Sequence, residues 1–272
     1  MMRLFLVLTL VMCSACSDGD PARSTARGIP PDPAPQDASD PAAMVRQDAA
    51  ALVLLDRADG LLYSPLLAGL ADVTYRYKSS RQPKVVVEVR WMKPDLVSSS
   101  LLLEPGAGAG TRRWAEASGS SHLKNVTHLV DLVVRPPTRS QYEGDEILLE
   151  SERRVRVVAR SERSLARSLI EALITFGPNG LPVHMEMQTA TSVITLGPTY
   201  RRGPEGRWLV DKVDTRINSG GEVRTAVMKF EYQRVGPYTM PQRVTLDGLD
   251  EPVVQEYLDI HVDQGLTEEQ IK

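Results

Sequence analysis

The chain's 2 cysteines, Cys13 and Cys16, both fall inside its first sixteen residues. A thiol can serve as nucleophile, metal ligand or half of a disulfide, or it can carry a lipid. The flanking residues select among these. Arg3 supplies one early cation, Leu4 to Met12 form an apolar run, and Cys13-Ser14-Ala15-Cys16 makes a small-residue exit. A basic start, a short apolar middle and such an exit read as a secretory signal peptide. The run is far below the ~20 apolar residues that a helix needs to cross a bilayer core. Small residues before Cys16 suit a narrow peptidase pocket, and its thiol can then take a thioether-linked diacylglycerol. Cys13 follows bulky Met12 and fits that chemistry less well. With Cys16 acylated no disulfide can form in the mature domain, which must be held by its core. The competing reading is an ordinary signal peptide whose cleavage releases a soluble protein.

The remaining reactive residue types do not converge. The 4 histidines are His122, His128, His184 and His261. His122 and His128 are six apart, which does not place them on one helix face, and without cysteines in the domain a zinc site is not expected. Ser140, Ser192 and Ser219 lack the strand–turn–helix context of a nucleophile elbow. Gly106-Ala107-Gly108-Ala109-Gly110 lacks the Lys and Ser/Thr of a phosphate loop and the glycine spacing of a dinucleotide turn, so a flexible loop is expected. Glu143, Asp145 and Glu146 do not follow the ligand order of a calcium loop and read as a solvated turn. Asn125-Val126-Thr127 forms a glycosylation sequon, which acts only where glycosylation machinery exists. The expectation is a protein that is not an enzyme and holds no metal or cofactor.

Three regions must then be placed. Residues 1–15 form the signal peptide. Residues 16–41 hold the lipidated cysteine and a tether in which Pro21, Pro30, Pro31, Pro33, Pro35 and Pro41 alternate with Ala, Ser, Asp and Gln. No apolar period runs through it, so it cannot offset its ordering entropy, and its prolines keep it extended. Residues 42–272 remain as a single domain. The full chain has 272 residues, of which 42% are hydrophobic, and a net charge of −3. That near-neutral balance argues against a nucleic-acid partner, which would demand a basic face. Arg112-Arg113, Arg153-Arg154 and Arg201-Arg202 read as solvated pairs.

Within the domain, residues 42–59 predict a helix that Asp40 caps, Pro41 opens and Gly60 ends. A short second helix is expected at Ser64–Gly69. From Asp72 the apolar period changes to two. Strands are expected near 72–78, 85–91, 96–103, 153–160, 169–176, 183–187, 192–200, 207–217, 223–233, 238–246 and 253–262. Residues 169–176 are ambiguous between helix and strand, and the turn Gly177-Pro178-Asn179-Gly180 favours strand. Residues 111–134 predict one or two helices over the sheet. The fold class expected is α+β: a strongly curved antiparallel sheet, an unclosed half-barrel, with helices covering its concave face.

Side-chain parity places Tyr75, Tyr77, Val87, Val89 and Trp91 on one face of that sheet. Met185, Met187, Met228, Phe230 and Tyr232 fall on the same face. Met and aromatic side chains make adaptable apolar walls, so these ten are the candidate ligand-binding residues. Two readings stay open: a cavity for a lipid or other hydrophobic ligand, and an ordinary core filled by helices 42–59 and 111–134.

Cys13-Ser14-Ala15-Cys16 resembles the lipobox of bacterial lipoproteins, with Cys13 standing where an aliphatic residue is usual. That resemblance implies acylation of Cys16, with chains such as palmitate, and anchoring through the N-terminal lipid. Each buried methylene contributes about 0.8 kcal/mol, so several chains hold firmly. Ser17 in place of Asp then favours the outer membrane, facing the periplasm. Further along come Val73-Thr-Tyr-Arg-Tyr77, Trp91-Met-Lys-Pro-Asp95, Phe176-Gly-Pro-Asn-Gly-Leu-Pro182, Phe230-Glu-Tyr232, Met240-Pro-Gln-Arg-Val244 and Ile260-His-Val-Asp-Gln-Gly-Leu266. Together, over residues 43–268, these resemble the periplasmic lipoprotein-carrier superfamily (LolA/LolB-like, with the LppX-type lipoproteins). The resemblance implies the half-barrel, a lipid or acyl-chain ligand and a part in lipoprotein or lipid trafficking. The apparent lipidation sets the chain nearer the anchored receptors than the soluble carriers, and residues 105–145 are long for the simplest members. The alternative is a structural or protein-interaction lipoprotein of the envelope with no ligand.

Overall fold

A computed structural model of the chain describes residues 45–113, 130–165, 168–248 and 251–271. The signal peptide, Cys16, the tether, His122, His128, the Asn125 sequon and most of the helix expected at 111–134 lie outside the described residues. Of that helix, residues 111–113 and 130–134 are described, and both stretches are helical.

Twelve strands form one antiparallel sheet. They are β1 (Asp72–Ser79), β2 (Val85–Met92), β3 (Leu96–Leu103), β4 (Glu146–Ser151), β5 (Arg154–Val158) and β6 (Leu169–Phe176). The second half is β7 (Pro182–Thr189), β8 (Ser192–Arg202), β9 (Trp208–Ser219), β10 (Glu222–Val235), β11 (Tyr238–Asp247) and β12 (Val253–Val262). Their order across the sheet is β3-β2-β1-β12-β11-β10-β9-β8-β7-β6-β5-β4. From β4 to β12 every strand lies beside its sequence neighbour, as short turns allow. The last strand then pairs with the first, through contacts such as Val73↔Val262 and Tyr77↔Tyr257. β3 and β4 are consecutive in the chain yet stand at opposite edges, so the sheet is open.

The two faces differ as the alternation demands. β2 buries Val85, Val87, Val89 and Trp91 while Val86, Glu88, Arg90 and Met92 stay half-exposed. On the polar face opposite charges meet across neighbouring strands: Arg243 and Glu256 at 2.9 Å, Arg76 and Glu88 at 3.8 Å, Lys229 and Asp247 at 2.8 Å. Such exposed pairs contribute only ~0.2–1 kcal/mol each, but they mark the face that meets water. The apolar face carries one cluster, which also takes in Ala51, Leu55 and Ala58 from the helix α1 (Ala49–Leu61) and Val130, Val133 and Val134. α1 touches β4 and β5.

Several expectations need correction. α1 begins at Ala49, because residues 46–48 run extended along the edge of β4: the Asp48 amide donates to the Ile147 carbonyl (2.8 Å) and the Ile147 amide to the Arg46 carbonyl (2.9 Å). Gly60 does not end the helix, which runs to Leu61 before Leu62 bridges to Trp208. Residues 64–69 make a hydrogen-bonded turn, closed by Gly69 at φ +105°, rather than a helix. β4 was not foreseen. Asp145 is not solvated: it is fully buried and accepts the amides of Arg160 and Ser161 at 2.8 Å and the hydroxyl of Ser164. Ala109 and Gly110 begin a helical turn inside the expected glycine loop. Val183 turns outward at 45% exposure, because the pairing of β6 with β7 shifts between Thr175 and Phe176.

The carboxylate of Asp72 accepts the amides of Gln264 (2.8 Å), Gly265 (2.9 Å) and Leu266 (3.3 Å), tying the segment after β12 to the start of β1. Asp263 adds the Ala71 amide (2.8 Å) and the Tyr238 hydroxyl (2.6 Å). Burial pulls its carboxyl upward, but these hydrogen bonds together hold it below the ordinary aspartate value.

Candidate functional site

The ten candidate residues come from four strands: Tyr75 and Tyr77 from β1, Val87, Val89 and Trp91 from β2, Met185 and Met187 from β7, and Met228, Phe230 and Tyr232 from β10. All join the one apolar cluster, Tyr77 and Tyr232 from partly buried positions and the rest from buried ones. They do not form one compact patch, since eight strands separate β2 from β7 inclusively in the sheet order. Two groups result: an aromatic one on β1, β2 and β10, and a methionine pair on β7.

The aromatic group gains a neighbour that side-chain parity had not singled out. Tyr257 of β12 lies with its ring centroid 5.9 Å from that of Tyr75 and 5.7 Å from that of Tyr77. Tyr75 faces a bulge, where Asp259 and Ile260 stand opposite it and Asp259 takes φ +49°. Gln255, two residues before Tyr257, points the same way, being 4% exposed. The Tyr75 hydroxyl, the Tyr257 hydroxyl and Gln255 Oε1 are all buried without a hydrogen-bond partner. A buried polar atom left unpaired costs ~1–3 kcal/mol, and native folds carry few.

Burial sets the acidity of these phenols. It drives Tyr75 and Tyr257 well above the ordinary tyrosine value, with neighbouring tyrosines pushing the same way. Burial lifts Tyr77 to about 12 against hydrogen bonds from Ser79 and Gln255. Tyr232 also reaches about 12 through burial, opposed by Arg135 and Arg201. Its hydroxyl donates to the Val210 carbonyl at 2.8 Å, and the Arg201 guanidinium lies 5.3 Å from its ring centre. The phenols are neutral donors throughout the physiological range.

The surface depressions among the described residues include these two. One, of about 400 Å³, lies between Arg81, Gln82, Pro83 and Lys84 of the β1–β2 turn and Gly110 and Thr111. The other, of about 10 Å³, sits beside Asp59, Ser64, Arg135 and Thr138. Neither is lined by any of the ten candidates. His184 and His261 are exposed on different strands, and among the described residues no three His, Cys, Asp or Glu side chains come together as a metal site. No helix among the described residues is long and apolar enough to cross a membrane.

No protein-family model matches the chain, and no curated protein matches it. Among solved structures, a Vibrio parahaemolyticus domain described as an outer membrane lipoprotein-sorting protein is similar over 82% of this chain and 94% of its own, at 9% identity and a TM-score of 0.25. So low a score assigns no function. The signal that could have found Tyr257 and Gln255 in the sequence is the alternation Val253, Gln255, Tyr257, all of which are buried. A polar residue inside a buried parity is what marks that strand.

Proposed function

We propose that the chain is a lipoprotein anchored in the cell envelope through Cys16, whose open sheet binds a lipid or other hydrophobic ligand on its apolar face, in lipoprotein or lipid trafficking. The observation that carries this reading is the apolar cluster itself, built from Met, Tyr, Phe and Trp side chains on many strands and containing polar atoms with nothing to bond. In this reading the sheet is curved, α1 and the helical residues around 130–134 roof its concave side, and the apolar ligand enters between roof and sheet. The Pro-rich tether of residues 16–41 gives the domain reach from the outer membrane into the periplasm.

A second reading is a structural or docking lipoprotein with no ligand. The near-complete burial of eight of the ten candidates favours it, since a filled interior needs no guest.

One experiment separates them. The full chain is produced in a bacterium fed an alkynyl palmitate, purified in mild detergent and extracted with organic solvent. Anchoring predicts label that survives extraction and disappears in Cys16→Ala. Ligand binding predicts a second, extractable lipid in stoichiometric amount. Label on Cys16 with no extractable lipid supports the docking reading, and an unlabelled wild-type chain removes the anchor.

A further inference from the structure

We infer that the open edge of β3 pairs with the same edge of a second copy of this chain, antiparallel, about a two-fold axis at Ser99. The pairing stands whether or not the apolar face holds a ligand.

An open sheet leaves backbone donors and acceptors along two edges, and a protein must manage both. At β4 residues 46–48 run along the edge, and the Asp48 and Ile147 amides are bonded there. β3 carries no such guard. Its sequence, Leu-Val-Ser-Ser-Ser-Leu-Leu-Leu over residues 96–103, holds no charge and no proline. It pairs with β2 in unbroken register, so no bulge twists it away. Leu102 and Leu103 are 39% and 40% exposed. The C-terminal turn Glu268–Ile271 touches β3, but its Gln270 carbonyl accepts Arg90, a side chain of the polar face, at 3.1 Å.

The phase of the backbone is fixed from two sides. The Glu104 amide donates to the Lys84 carbonyl, and across β2 the Lys93 amide donates to the Ala71 carbonyl, both at 3.0 Å. Antiparallel bonding alternates residue by residue. Both bonds therefore turn the even-numbered residues of β3 towards β2 and the amides and carbonyls of Val97, Ser99 and Leu101 outward. Among the described residues nothing bonds these outward groups.

Two copies can then bond only odd residue to odd residue. An axis at Ser99 does this, setting Ser99 on Ser99, Val97 on Leu101, Ser98 on Ser100 and Leu96 on Leu102. The apolar–serine–apolar order reads alike from either end, which is what an isologous contact demands. Moving the axis to Ser98 or Ser100 sets leucines against serines and loses the matched cross-strand pairs. Val97 and Leu101 stand beside the buried Trp91 and Val87 of β2, so their meeting across the axis carries the apolar face from one copy into the next. One strand edge buries less than the ~1,200–2,000 Å² of a standard stable complex, so the dimer is reversible.

The test is sedimentation equilibrium of the full chain in density-matched detergent at rising concentration. The protein mass per particle is expected to climb from one chain towards two. Ser99→Pro removes the outward amide on the axis without touching a bond to β2, and should weaken the dimer about tenfold. Ser99→Ala keeps that amide and should dimerise as the wild type does. Thermal melts check that both variants stay folded. Under mild oxidation Ser99→Cys should trap a disulfide-linked dimer, since bonded antiparallel partners place their Cα atoms ~5.5 Å apart. Leu101→Cys alone should not, and the wild type reads any background from Cys13 and Cys16. Should Ser99→Pro unfold, the two cysteine variants decide alone. A chain that stays monomeric overturns the pairing. So does a dimer that a folded Ser99→Pro leaves intact, or one that Leu101→Cys traps as readily as Ser99→Cys.

Discussion

Tyrosine is the residue whose environment in this chain makes the most measurable prediction. None of the 8 tyrosines is exposed. In the unfolded chain a phenol titrates near 10, whereas Tyr77 and Tyr232 are lifted to about 12 in the fold, chiefly by burial. A group whose folded pKa is raised contributes stability that is whole below its unfolded pKa and is lost as pH rises through the folded one. Melting temperature should therefore be level approaching pH 10 and fall between pH 10 and pH 12. Phenolate absorbance should appear together with loss of the strand circular-dichroism signal. Phenolate forming near pH 10 with the sheet intact would contradict the burial described. The carboxylate of Asp263 works in the opposite direction: its pKa is lowered, so its contribution is present above the unfolded value and disappears on acidification.

At the scale of elements, α1 offers a paired comparison. Leu55 is 0% exposed in the shared cluster, whereas Val53 on the same helix is 63% exposed. Leu55→Ala should cost ~2–5 kcal/mol and lower the urea midpoint markedly. Val53→Ala should stay within about 0.5 kcal/mol of wild type. The strands were largely legible in the sequence because a half-buried sheet writes a period of two, and parity put Tyr75, Val87, Val89 and Trp91 on one face. What escaped was set by contacts between distant residues. Residues 42–59 as a whole read as an alanine-rich helix, yet the edge of β4 takes residues 46–48 as an extended partner, so tertiary pairing overrides propensity. β4 itself is short, with Ile147 its one buried residue and its last three residues exposed, and so writes little pattern. The candidate site was legible to the same depth. Its apolar wall follows from parity, but whether a buried hydroxyl has a partner depends on a strand almost two hundred residues away.

For the molecule as a whole, the decisive joint is β12. It pairs with β11 on one side and β1 on the other, so it alone connects the β1–β3 meander to the rest of the sheet. A chain cut after residue 252 should lose more than one strand's worth of order. β1 would become a bare edge, Tyr75 would lose its neighbour Tyr257, and Asp72 would lose the three amides of residues 264–266. Such a truncation should show no cooperative thermal transition. A clean two-state melt from it would show that the strands before β12 fold without it. The same joint sets a clock on biosynthesis. During synthesis the first three strands must wait for some one hundred and fifty further residues before their partner emerges, and so distant a contact forms slowly. A nascent chain released in that state presents unpaired strand edges to proteases rather than a half-working domain.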